Sequence, residues 1–133
     1  MTLQKRIDKA RELHSVGYTC AQCVAMVFDD ITSSQASQPL LAAITSGFGG
    51  GFGGSRETCG AISGMTAVNG LAHFTSPADK REVYGSTASL VEQFKSLNGS
   101  VICRELRVPG AKPCMTLIED AITILHNSLT PQE

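Results

Sequence analysis

The stretch Gly47–Gly64, reading GFGGGFGGSRETCGAISG, constrains this chain more than any other. Six of the eight residues from Gly47 to Gly54 are glycine. Such a run costs chain entropy on folding and needs packing or a ligand to offset it. Immediately after it, Thr58 is a good helix N-cap, which places Cys59 at the first helical position. A thiol there feels the positive end of the helix dipole, which favours thiolate and hence nucleophilicity or metal ligation. Gly60 and Gly64 carry no side chain, so another group can approach this helix start closely. The Gly49, Gly51 and Gly54 spacing fits GxGxxG. A dinucleotide fingerprint, however, requires a preceding strand, and a helix precedes here. Two readings of the run remain. It is a flexible connector, or it is a collar whose backbone N–H groups face an anionic group. In the second reading Gly53, Gly54 and Gly60 are the candidate cofactor-binding residues, and Phe48 and Phe52 anchor the collar to the core.

The placement of Cys59 recurs along the chain. Thr19 precedes Cys20 and Pro113 precedes Cys114, each at the start of an apolar-periodic run, and Cys103 opens a short helical segment. Four cysteines at four predicted helix starts suggest one site assembled from several helix N-termini. The remaining periodicities agree. Apolar residues at 3, 7, 10, 13 and 16 predict a first helix stopped by Gly17, with Lys5, Arg6, Lys9 and Arg11 as a solvated face. Thr19 and Gln22 form a capping box for a predicted helix over 19–31, with Cys20 and Cys23 on its inward face. Pro39 opens a short helix to Ser46. Helical spacing continues over 58–74, then from Ser76-Pro77 to Leu97, and finally over 113–129. No period-two run survives inspection. The fold is therefore expected to be all-α, a compact single-domain bundle of about six helices over residues 1–133, with a Gly-rich loop.

Net charge is −1 and only 17% of residues are charged, with the basic ones scattered, so nothing points to nucleic-acid binding. The longest apolar run, Cys23 to Phe28, is too short for membrane insertion or a secretory h-region, and a cytoplasmic protein is expected. There an odd set of five cysteines argues against a purely structural disulfide framework. Cys20-Ala21-Gln22-Cys23 is a CxxC, yet the βαβ context of a thioredoxin-like fold is missing. Cys23 is read instead as a buried small hydrophobe. No histidine cluster, carboxylate pair or GxSxG elbow suggests hydrolysis.

Gly17-Tyr18-Thr19-Cys20, then Cys59-Gly60-Ala61-Ile62-Ser63-Gly64, then Cys103 and Cys114, together resemble the C_GCAxxG_C_C family of putative redox-active proteins. The likeness runs from about Leu3 to Leu129; Cys23 stands outside the family's four-cysteine pattern. The resemblance implies redox activity, with Cys20, Cys59, Cys103 and Cys114 acting together and a redox partner of unspecified identity. Two chemistries satisfy four such thiols: ligation of an iron–sulfur cluster, or a dithiol–disulfide cycle. The separations of 38, 43 and 10 residues are not those of a compact ferredoxin motif and require a tertiary site. The alternatives are a structural zinc site and a non-catalytic helical module in which the cysteines only pack. A homodimer is a further expected partner state.

Overall fold

Alanine, valine and cysteine dominate the run from Cys20 to Phe28, and a helix apolar on all sides belongs at the centre of a bundle. The computed structural model describes residues 1–130 and puts that segment there. Eight right-handed α-helices follow in order: α1 (Leu3–Ser15), α2 (Cys20–Met26), α3 (Asp29–Thr32), α4 (Gln38–Ile44), α5 (Gly60–His73), α6 (Lys80–Asn98), α7 (Cys103–Leu106) and α8 (Cys114–Leu129). A glycine turn, Gly49–Phe52, lies between α4 and α5, and a 3-10 turn, Pro77–Asp79, precedes α6. Among the described residues there is no strand, only one isolated bridge between Thr58 and Ile102. The fold is all-α, as expected. Helix α2 packs on α1, α4, α8 and, most extensively, α5. One core surrounds it, in which Val24, Phe28, Met65, Val68, Phe94, Ile118 and Leu125 are fully buried. No helix among the described residues is long and apolar enough to cross a membrane.

The count of eight rather than six has a physical cause. The predicted helix over 19–31 starts with its capping box, Thr19 N–H to Gln22 Oε1 at 3.0 Å and Gln22 N–H to Thr19 Oγ1 at 3.4 Å. It then breaks at Val27 and Phe28, and α3 begins afresh at Asp29. The break is occupied by Arg6, whose side chain is almost wholly buried. Its Nη1 donates to the freed Val27 carbonyl at 2.5 Å and to Asp30 Oδ1 at 2.7 Å. Its Nη2 reaches Asp30 Oδ2 at 3.1 Å and its Nε donates to His126 Nδ1 at 3.0 Å. The guanidinium carbon lies 4.3 Å from the centroid of the Phe28 ring. Arg6 is thus not part of a solvated basic face. It falls on the inward stripe, three residues after Leu3 and four before Ala10.

This knot is pH-sensitive. Burial lowers the His126 pKa, and the nearby Arg6 cation lowers it further. Burial alone would raise Asp30, but the hydrogen bonds and charge of Arg6, with help from the N-terminal ammonium, more than offset it and hold the carboxyl below its ordinary value. In both cases the unfolded chain binds the proton more readily, so stability falls as pH falls. The loss begins below about pH 6.5 through His126 and resumes below about pH 3.9 through Asp30. Thermal melts of wild type and His126→Gln across this range check it. The variant is expected to lack the first step and keep the second.

Candidate functional site

The glycine run folds into a defined turn. Gly50, Gly51, Phe52, Gly53 and Gly54 all have positive φ, between 63° and 78°. A left-handed turn costs an L-residue roughly 1–2 kcal/mol per position, which explains why four of the five are glycine. The turn folds back on the next segment through Arg56 N–H to Gly50 O at 2.9 Å and Glu57 N–H to Gly51 O at 3.1 Å. Residues 56–59 are in turn laced to 101–104. Cys59 N–H donates to Val101 O at 2.8 Å, Cys103 N–H to Glu57 O at 2.6 Å and Arg104 N–H to Arg56 O at 3.1 Å. This short antiparallel lacing lays the start of α5 beside the start of α7 and brings Cys59 and Cys103 together.

Cys20 arrives from the other side. A Cβ at position 60 would lie 2.5 Å from Cys20 Sγ, and one at position 64 would lie 2.5 Å from the Ala21 carbonyl oxygen. The two motif glycines are therefore the groove in which the first turn of α2 rests on α5. Cys114 completes the arrangement from the first residue of α8. Cys20, Cys59, Cys103 and Cys114 line one small cavity of about 20 Å3, together with Gly50, Gly60, Leu106, Arg107 and Leu117. That is room for about one water. The Arg107 guanidinium donates from Nη1 to Cys114 Sγ, so negative charge developing on that sulfur has a cation beside it. Gly60 lines the cavity; Gly53 and Gly54 do not, being exposed at the far end of the turn. Gly50, Arg107 and the apolar Leu106 and Leu117 are the lining residues that sequence reasoning missed. Arg107 had one signal, its place one turn after Cys103.

Cys59 departs from expectation. Thr58 does not cap α5, because it is taken up in the bridge with Ile102. Cys59 itself occupies the N-cap position, with φ −54° and ψ 132°. It is only 6% exposed, and burial pushes its thiol up to about 11, against the pull of the Ala61 and Ile62 amides. Helix-start activation of this thiol is thus outweighed by desolvation. Burial likewise raises Cys20; the Gly50 amide opposes the shift, and the nearby Cys114 and Cys103 add to it. Cys23 does not line the cavity. It is fully buried, donates S–H to Tyr18 O at 3.6 Å and is pushed up to about 12, by burial first and by Cys20 second.

The donor set around the cavity is all thiol, with no carboxylate or imidazole lining it. Among the described residues no group of three or more His, Cys, Asp or Glu is arranged to hold a metal ion. The four sulfurs encircle a space rather than closing on one point at about 2.3 Å, as a tetrahedral zinc site requires. The space between the four thiols has room for about one water, so any larger group is admitted only if the lining side chains move outward.

An uncharacterized protein of Archaeoglobus fulgidus is 31% identical, the match covering 65% of this chain and 69% of that protein. No solved structure matches the chain. The profile of the family described as "Putative redox-active protein (C_GCAxxG_C_C)" matches residues 18–128, which include all four cavity cysteines. By that match, the chain belongs to the C_GCAxxG_C_C family.

Proposed function

We propose that Cys20, Cys59, Cys103 and Cys114 form a single redox centre that holds an iron–sulfur cluster for electron transfer. The observation that carries this reading is that four thiols from four separate helix starts line one cavity, while burial keeps Cys20 and Cys59 protonated near neutral pH. A protonated, buried thiol is a poor nucleophile, which counts against exchange chemistry at these two sulfurs. Metal coordination deprotonates a thiol outright, and four cysteines are a complete ligand set for a cluster. When bound, such a group supplies a one-electron couple. The chain supplies the rest. The Gly50 amide lies near the Cys20 sulfur and the Ala61 and Ile62 amides near that of Cys59. Arg107 stands at Cys114. These donors compensate sulfur charge, and Leu106 and Leu117 wall off water. The reading fits a reducing, cytoplasmic setting, where free thiols stay available, and an electron partner that remains to be identified.

A second reading, a dithiol–disulfide cycle, is favoured by the small volume between the sulfurs. There, two thiols would release two protons and two electrons to an external acceptor and form one S–S bond. Anaerobic purification, incubation with ferrous iron and sulfide, and assay of iron, labile sulfide and visible absorption distinguish the two. Wild type is expected to take up both elements. Serine at any one of the four positions should largely abolish uptake, and Cys23→Ala should keep it. Wild type that binds no iron but forms a disulfide within the set of four would establish the second reading. Loss of uptake in Cys23→Ala as large as in Cys59→Ser would refute the assignment of the four.

A further inference from the structure

The face of the molecule built from α4, the glycine turn and the outward side of α5 is nearly devoid of charge. Residues 31–78 hold only two of the chain's Lys, Arg, Asp and Glu side chains, Arg56 and Glu57. Three hollows adjoin along this face, of about 460, 360 and 330 Å3. The first two share Thr66 and Ala67 as a wall, and the first and third share Phe74 and Val83. Lys80, at one end, is the single charged side chain that lines them among the described residues. Exposed apolar side chains line the hollows, with Phe74 between the first and the third. Ile44 is 48% exposed, Phe52 46%, Phe74 53% and Tyr84 67%. Leu40, one turn before Ile44 on α4, is also exposed. Scattered exposed apolar residues are ordinary, but a contiguous, grooved and uncharged strip marks an interaction surface.

We infer that this face is the interface of a homodimer, occupied by the same face of a second copy. The charge pattern selects that occupant. A partner surface bearing many ions would strand them unpaired, because Lys80 at one end is the single charged side chain lining the hollows. A lipid surface calls for a basic rim around an apolar face, and among the residues lining the hollows only Lys80 is basic. A second copy brings the same neutral strip, with both exposed apolar side chains and hollows. A two-fold axis then lets an apolar side chain of one protomer enter a hollow of the other and the reverse, the reciprocal contact of an isologous dimer. The charged rim beyond, starting at Lys80, gives the apolar-centre, polar-edge anatomy of stable interfaces.

Sedimentation equilibrium under reducing conditions tests this, since thiols cannot then cross-link copies. Wild type is expected at twice the 14.0 kDa of the chain at micromolar concentration. Ile44→Glu at the end of α4 and Phe74→Glu just after α5, both at exposed positions, should run as monomers with unchanged far-ultraviolet circular dichroism. Val16→Glu and Leu97→Glu place the same charge on exposed apolar residues elsewhere and should remain dimeric. Monomeric wild type, dimers that persist in both face variants, or equal loss in the controls would overturn the inference. Monomeric wild type that floats with phosphatidylcholine–phosphatidylglycerol vesicles would overturn it and assign the face to lipid. If one face variant loses helix signal, the other decides.

Discussion

Gly64→Ala is expected to destabilise the protein by about 2–3 kcal/mol, although glycine-to-alanine inside a helix ordinarily gains about 1 kcal/mol. The added methyl would sit 2.5 Å from the Ala21 carbonyl oxygen and 3.1 Å from the Ala21 carbonyl carbon and Cα. All three are backbone atoms, so no side chain can swing aside. Either α2 moves away from α5 or the carbonyl tilts out of its helix, and α2 is the element on which α1, α4, α5 and α8 all pack. Gly70→Ala is the natural control, because it is in the same helix with nothing within 4 Å of the added Cβ. It should be neutral or stabilising. Urea denaturation of the two variants beside wild type measures the difference. A Gly64→Ala variant as stable as Gly70→Ala would show that the helices separate freely and that the motif glycine has no packing role.

Arg6→Leu is expected to cost about 3 kcal/mol, the range for breaking a buried ion pair by removing one partner. The Val27 carbonyl and His126 Nδ1 lose their side-chain donor, and the Asp30 carboxylate is left with the N-terminal ammonium at 3.4 Å. The Val27 carbonyl is the costliest, because it is freed by the break between α2 and α3 and Arg6 supplies its side-chain donor there. Asp30 is partly solvated, which limits its share. Arg6→Lys keeps the charge but not the fork that serves several acceptors, and it should recover only part of the loss. Chemical denaturation with the Asp30→Asn and double variants gives the coupling between the two residues. Additivity of Arg6→Leu and Asp30→Asn would show that the pair contributes nothing as a pair.

Local chemistry was legible in the sequence, and long-range chemistry was not. The Thr19–Gln22 capping box reads directly from residue type, because both partners lie within one turn. So do the stops at Gly17 and Gly99, with φ of 110° and 82°, and the helix starts at Cys20 and Cys114. Each failure has a partner far away in the chain. The break at Val27 depends on an arginine from α1. Thr58 reads as a cap, but Ile102 claims it for a bridge. Cys59 reads as an activated thiol because dipole effects are local, whereas the burial that reverses them comes from helices elsewhere in the chain. The four cysteines were nominated by their common position at helix starts, and the groove of Gly60 and Gly64 explains how two of those starts meet. Gly50 was hidden among equivalent neighbours, since only the path of the turn decides which glycine faces the sulfurs.

The lacing of residues 56–59 to 101–104 has a consequence for how long such a centre survives. No contiguous segment carries more than two of the four sulfurs close together, so the centre is a property of the finished fold and not of a portable motif. The grouping of Cys59 with Cys103 lasts only while three backbone hydrogen bonds spanning more than forty residues stay closed. An opening that unzips that seam, even with the bundle otherwise intact, parts Cys59 from Cys103 and exposes their sulfurs to solvent. The lifetime of the assembled site is therefore set by the opening rate of one short seam, and whatever bridges its two sides in the folded state acts as a clasp that slows that opening.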